Sequence, residues 1–216
     1  MTSVDEPVRP DRRLPDAART RSDILEAATR EFARAGYEGA RVEEIAARTR
    51  TTKRMIYYYF GGKKQLFAAV LERAYGALHG VEELLDVGHL DPVAAVRRLA
   101  EVTFDHHEGH PDLVRLVGIE NIHGGEHLAA ARRFGRIDAP GLATLRDILD
   151  AGRESGVFTA DVDAVDLQAM ISAFCFYRVA GRHTFGALFD RDLAAPARRD
   201  HYRAMLADMV IAYLKG

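Results

Sequence analysis

A chain of 216 residues, 48% of them hydrophobic, can build a packed core in one large or two small domains. No run of about 18 apolar residues occurs, and the most apolar stretch, "AMISAFCFYRVAG" (169–181), carries Arg178, which argues against a membrane span. The single cysteine, Cys175, excludes an intrachain disulfide and a cysteine-based metal motif, while the net charge of −2 divides into +4 over residues 1–64 and −6 over 65–216.

The opening "MTSVDEPVRPDRRLPDAARTR" mixes both charges with prolines and has no apolar segment. This pattern predicts a mobile arm over 1–18, not a secretory leader, and hence a cytoplasmic protein. The first helix is predicted in "TRSDILEAATREFARAG". Thr20 and Asp23 have capping-box-like spacing, Ile24, Ala28 and Phe32 make an i, i+4, i+8 stripe, and Gly36 supplies a C-terminal stop. A second helix, "VEEIAAR", has no Ser, Thr, Asp or Asn immediately before it.

Next comes "TTKRMIYYYF" (51–60). Three adjacent tyrosines suit a strand, but a helical period separates the residues better. Thr52, Met55, Ile56, Tyr59 and Phe60 fall on one arc, and Lys53, Arg54, Tyr57 and Tyr58 on the opposite one. The first arc suits a core and the second a polyanion. Residues 39–64 carry 7 basic against 2 acidic side chains, a modest electrostatic footprint of the same kind. After Gly61-Gly62 an amphipathic helix resumes through Leu66, Phe67, Val70, Leu71, Ala74 and Leu78.

Beyond residue 90 the periodic segments again read as helices, over 91–109, 111–123, 126–136, 140–155, 162–180 and 196–214. They are separated by Pro111, Gly124-Gly125, Pro140, Gly156 and Pro196. No alternating strand pair appears, so the chain is expected to be all-α. A helix-turn-helix needs a small residue where its helices cross, a sharp turn, and an apolar residue returning to the core. Ala46, the turn at 48–51 and Ile56 meet those needs, with Ile45 and Phe60 closing the core. The second helix would then present Lys53, Arg54, Tyr57 and Tyr58 to a major groove.

The segment "ILEAATREFARAGYEGARVEEIAARTRTTKRMIYYYFGGKKQLFAAVL" (24–71) resembles the DNA-binding domain of the TetR family of bacterial transcriptional regulators. The resemblance implies a helix-turn-helix domain over 19–64, followed by a helical effector-binding and dimerisation domain over 65–216. It also implies a homodimer that reads palindromic operator DNA and is released by a small molecule. It assigns base or phosphate contacts to Thr52, Lys53, Arg54, Tyr57 and Tyr58 and a phosphate contact to Lys63. Tyr59 remains open between a phosphate contact and a core position. Arg50 stands where the family usually has glycine; a left-handed backbone there would cost a non-glycine residue roughly 1 kcal/mol.

The last two predicted helices are broadly apolar. Ala169, Ser172 and Ala173 are small enough for close approach, and Tyr202, Leu206, Met209 and Tyr213 form a long stripe. The resemblance implies that these helices pair with their mates in a dimer. Between 91 and 155, polar residues intrude on apolar faces. His107, Glu120, Asn121 and His123 either orient a ligand or satisfy one another in the core. The aromatic residues Phe104, Phe134, Phe174 and Tyr177 suggest a small, largely apolar organic effector, with Asn121, His107 and Glu120 as polar handles. Two other readings compete with this one. Glu120, His123 and His127, at i, i+3, i+7, have oxygen and imidazole groups that suit zinc and a metal-responsive regulator. The same groups on a helical scaffold could serve a metallohydrolase. No nucleophile elbow, P-loop or dinucleotide fingerprint occurs, so neither enzymatic activity nor a cofactor is expected.

Overall fold

The computed structural model describes residues 17–83, 86–133 and 142–216. Within these, the elements are α1 (Ala17–Gly39), α2 (Val42–Arg48), α3 (Lys53–Phe60), α4 (Lys63–Glu83), α5 (Pro92–Gly109) and α6 (Pro111–Ile122). They continue as α7 (Glu126–Arg133), α8 (Leu142–Glu154), α9 (Ala164–Ala180), α10 (Arg182–Phe189) and, after a 3-10 turn at Pro196–Arg198, α11 (Arg199–Lys215). No strand occurs among the described residues, and no helix there is long and apolar enough to cross a membrane. The fold is all-α.

Most helix limits follow local chemistry. Gly36 breaks α1 with φ 72 and ψ 173, as its lack of a Cβ permits. The Thr20 start is corrected, because α1 is already under way at Ala17 and the Thr20-Asp23 pair lies inside it. Residues 1–16 of the expected arm lie outside the described residues, and so do the expected ends near 136 and 140. Asp91 caps α5, its Oδ1 accepting from the N–H groups of Val93 and Ala94 at 3.0 and 2.9 Å, with Pro92 in the first turn. Helix α10 was not anticipated. It buries no residue fully and sets only Phe185 against the second core, too little to make a stripe that reveals it.

Two apolar cores organise the chain. The first gathers Ile24, Ala28 and Phe32 of α1, Ile45 and Ala46 of α2, Ile56 and Phe60 of α3, and Leu66, Phe67, Val70 and Leu71 of α4. It therefore extends past residue 64, and it also takes Leu116 from α6. Phe32 and Phe67 meet edge to face at 4.9 Å; burying each such ring contributes about 1.5 to 3 kcal/mol. Glu31 is buried beside them, held by Arg34 at 2.9 Å and by Arg48 of α2 at 2.9 Å.

The second core joins α5, α8, α9 and α11 through Val96, Leu99, Phe104, Leu145, Leu167, Ile171 and Val210. Gly152 admits the Phe158 ring where a Cβ would overlap it. Tyr202 and Leu206 also belong to this core, Leu206 being only 1% exposed. The stripe expected to meet a second copy thus turns partly inward. The outward part of α11 carries Met209 and Tyr213.

Candidate functional site

The helix-turn-helix is built by α2, a tight turn and α3. Glu43 and Glu44 complement the amino-terminal dipole of α2, which has no side-chain cap. Thr49 closes the helix by donating its hydroxyl to the carbonyl of Ile45 at 3.0 Å. Arg50 then takes a left-handed φ of 53. The backbone keeps the conformation that glycine would favour, at a cost of about 1 kcal/mol. Thr52 caps α3, its hydroxyl oxygen accepting from the Met55 N–H at 3.2 Å.

This arrangement fixes the rotation of α3. Ile56 and Phe60 are buried, whereas Lys53, Arg54, Tyr57 and Tyr58 are exposed, Tyr58 by 79%. Tyr59 is half-buried and packs on the first core, which places it inward. Met55, expected on the inward arc, is exposed instead, because it lies at that arc's edge. The Lys53 ammonium pairs with Glu43 at 2.6 Å and lies 5.6 Å from the Tyr57 ring centre. Lys63 donates to the Glu38 carbonyl at 3.1 Å and sits over Tyr37.

A cavity of about 330 Å³ lies between α4, α5, α6 and α9, at the small end of the range of roughly 300–1,000 Å³ for ligand pockets. Helix α4 contributes Ala74 and Tyr75, and α5 contributes His106 and His107, with His110 at the next junction. Helix α6 adds Leu113, Val114, Val117 and Asn121, and α9 adds Ala169, Ser172, Ala173 and Phe176. Of the residues expected at an effector site, His107 and Asn121 are present. Ala169, Ser172 and Ala173, expected at a dimer contact, line this cavity.

The other expected ligand residues lie elsewhere. Phe104 is buried in the second core, with the Arg178 guanidinium 4.3 Å from its ring centre. Phe174 packs against the same core, and Tyr177 is exposed, its ring 6.3 Å from Phe185. Glu120 spends its carboxylate on His127 Nδ1 at 3.0 Å and on the Leu128 N–H at 2.9 Å. It satisfies the protein rather than the cavity. Phe134 lies outside the described residues. Aromatic content alone could not separate core rings from lining rings, and His106, His110 and Phe176 were missed. The i, i+4 spacing of His106 and His110 was the available signal, for their rings stack at 4.3 Å.

Burial, with the neighbouring rings of His110 and His107, pushes the His106 imidazole down to about 4. Burial also lowers His107, against the opposing pull of its hydrogen bond to Thr103. Among the described residues no group of three His, Cys, Asp or Glu side chains could hold a metal ion, so Glu120, His123 and His127 do not form the anticipated ligand set. Behind the cavity, Glu108 of α5 meets Arg178 of α9 at 2.7 Å and Arg199 of α11 at 2.6 Å, while Asp105 meets Arg199 and Arg203. These pairs tie the histidine-bearing end of α5 to both neighbouring helices.

Residues 24–70 match the model of bacterial regulatory proteins of the tetR family. Residues 92–210 match the tetracyclin repressor-like C-terminal domain. The chain belongs to the TetR family. It is 32% identical over 203 residues to the HTH-type transcriptional repressor NicS of Pseudomonas putida, covering 94% of this chain and 96% of that protein. It is 35% identical over 167 residues to the HTH-type transcriptional repressor SCO4008 of Streptomyces coelicolor, covering 76% and 80% of the two chains. The crystal structure of SCO4942, described as a transcriptional regulator of Streptomyces coelicolor, superposes with a TM-score of 0.65 at 30% identity, covering 88% of this chain and 97% of that one. TetR regulators are DNA-binding transcription factors, not enzymes, so the hydrolase reading falls away.

Proposed function

We propose that this TetR-family protein is a ligand-responsive repressor that binds palindromic operator DNA as a homodimer and leaves it when a small organic effector fills the cavity between α4, α5, α6 and α9. One observation carries the reading: α3 turns Lys53, Arg54, Tyr57 and Tyr58 to solvent while Ile56 and Phe60 anchor it to the first core. An apolar cavity behind that core suits an effector. Lys53 and Arg54 contact bases or phosphates, Tyr57 and Tyr58 pack on the backbone or base edges, and Thr52 and Lys63 contact phosphates near the ends of α3 and α4. Glu43 holds Lys53 until DNA replaces it as partner.

Two helices link the cavity to the reading head. Helix α4 lines it with Ala74 and Tyr75 and enters the first core with Phe67, and α6 lines it with Val117 and enters that core with Leu116. A ligand that favours one setting of these helices shifts the operator equilibrium by its differential affinity for the two settings. The test is operator selection from genomic fragments followed by titration of variants. Lys53→Ala and Arg54→Ala should each cost about 1 to 3 kcal/mol on the selected operator if they read bases, and Lys63→Ala should reduce the salt slope by about one contact. Unchanged operator affinity in the Lys53/Arg54 double alanine variant would remove α3 as the reading helix.

A further inference from the structure

We propose that the cavity selects a neutral effector that donates hydrogen bonds, a hydroxyl or N–H group on an apolar body, and discriminates against carboxylates. The inference rests on the reading of this cavity as the effector site, and it adds the chemistry of the occupant. It follows from where the protons on the lining histidines must reside. His107 Nδ1 lies 2.8 Å from the Thr103 carbonyl oxygen, and His110 Nδ1 lies 2.8 Å from the His106 carbonyl oxygen. A carbonyl oxygen accepts only, so both rings carry their hydrogen on Nδ1. In the neutral ring Nε2 is then a lone-pair acceptor.

Burial holds the His106 and His107 rings neutral. His106 and His107 are buried, so a positive charge on either is disfavoured by desolvation, and the His106 ring also stacks on that of His110 at 4.3 Å. His106 Nε2 is itself buried without a hydrogen-bond partner, a placement that a charged ring would tolerate less well than a neutral one. Among the described residues no lysine or arginine lines the cavity to meet an anion, and no carboxylate lines it to meet a cation. Asn121 donates one Nδ2 hydrogen to the Val117 carbonyl at 3.0 Å and keeps its carbonyl oxygen as an acceptor beside a second N–H. The Ser172 hydroxyl oxygen already accepts from Gln168 Nε2 at 3.2 Å, and Tyr75 brings a hydroxyl whose chemistry allows either role. The surplus is of acceptors, and an occupant without donors would leave desolvated lone pairs unpaired.

Three probes that share a naphthalene body separate the alternatives: a naphthol, its methyl ether and the corresponding naphthoate. Calorimetry on the full-length protein at neutral pH should find the naphthol bound about tenfold or more tighter than the ether, with the naphthoate weakest. His110→Phe, which keeps a ring and removes the acceptor, should narrow the preference for naphthol over ether several-fold. His107→Phe should do the same, with thermal unfolding recorded to confirm that each variant is folded. Equal or tighter binding of the ether or the naphthoate, binding of none of the three, or a preference that survives both substitutions would overturn the inference. The parent reading fails separately. Donor-selective binding that leaves operator affinity unchanged supports the inference about the cavity and removes the cavity as the effector site.

Discussion

At the scale of single residues, Glu31 shows how a buried charge is made tolerable. Its side chain is fully buried on the inner face of α1, where burial alone would raise its pKa. The hydrogen bond and charge of Arg34, the backbone N–H of Arg41 and the charge of Arg48 outweigh that effect and hold the carboxyl below its ordinary value of 4.5. A depressed folded-state pKa means that the pair stabilises the protein above the unfolded value, and that this contribution fades as pH falls through the folded one. Both arginines are largely solvated, at 61% and 41% exposure, so the contribution is modest. Glu31→Gln should lower stability by about 1 to 3 kcal/mol at neutral pH, and the gap to wild type should close on acidification below 4.5. Denaturant unfolding across that range measures it; a gap independent of pH would show that packing, not ionisation, is what Glu31 supplies. Sequence could not reveal this role, because the Arg48 partner comes from another helix. Arg50 is the opposite case. Its departure from glycine was visible in the sequence, and the left-handed φ of 53 confirms the conformation that made it a departure.

At the scale of elements, helices with one apolar stripe were legible and helices with two jobs were not. The spacing of Ile24, Ala28 and Phe32 placed α1, and the arcs of α3 placed Ile56 and Phe60 inside. Helix α6 showed a polar intrusion that was open to two meanings. It has a face in the first core through Leu116, a buried Glu120 tied to α7, and a cavity face through Val114, Val117 and Asn121. Periodicity assigns residues to arcs but cannot say which partner covers each arc. The same limit applied to α9, whose small residues suit close helix packing and line the cavity as well. If α6 completes the first core, Leu116→Ala should cost about 2 to 5 kcal/mol and weaken operator binding, although Leu116 lies far along the chain from α3. Thermal unfolding with operator titration tests this. Retention of both properties would show that the first core stands without α6.

At the scale of the whole molecule, the last three helices leave large apolar side chains uncovered. Val165 and Tyr177 of α9, Leu188 and Phe189 of α10, and Met209 and Tyr213 of α11 are all exposed. Apolar side chains in such numbers on neighbouring elements suit an interface, and a two-fold pair of reading heads would engage half-sites about one helical turn apart. If two copies meet through the exposed face of α11, the residues that join them differ from those that hold one copy folded. Met209 is 49% and Tyr213 48% exposed, whereas Leu206 on the same helix is 1% exposed. Replacing Met209 and Tyr213 together by glutamate should give a folded monomer with an intact cavity and sharply weakened operator binding, since each half-site is then bound alone. Replacing Leu206 by glutamate should unfold the second core, because the carboxylate would be buried without a partner. Sedimentation at micromolar concentration, with circular dichroism on the same samples, distinguishes the two. A dimer that persists in the Met209/Tyr213 variant would move the interface away from the exposed face of α11, to α9 and α10.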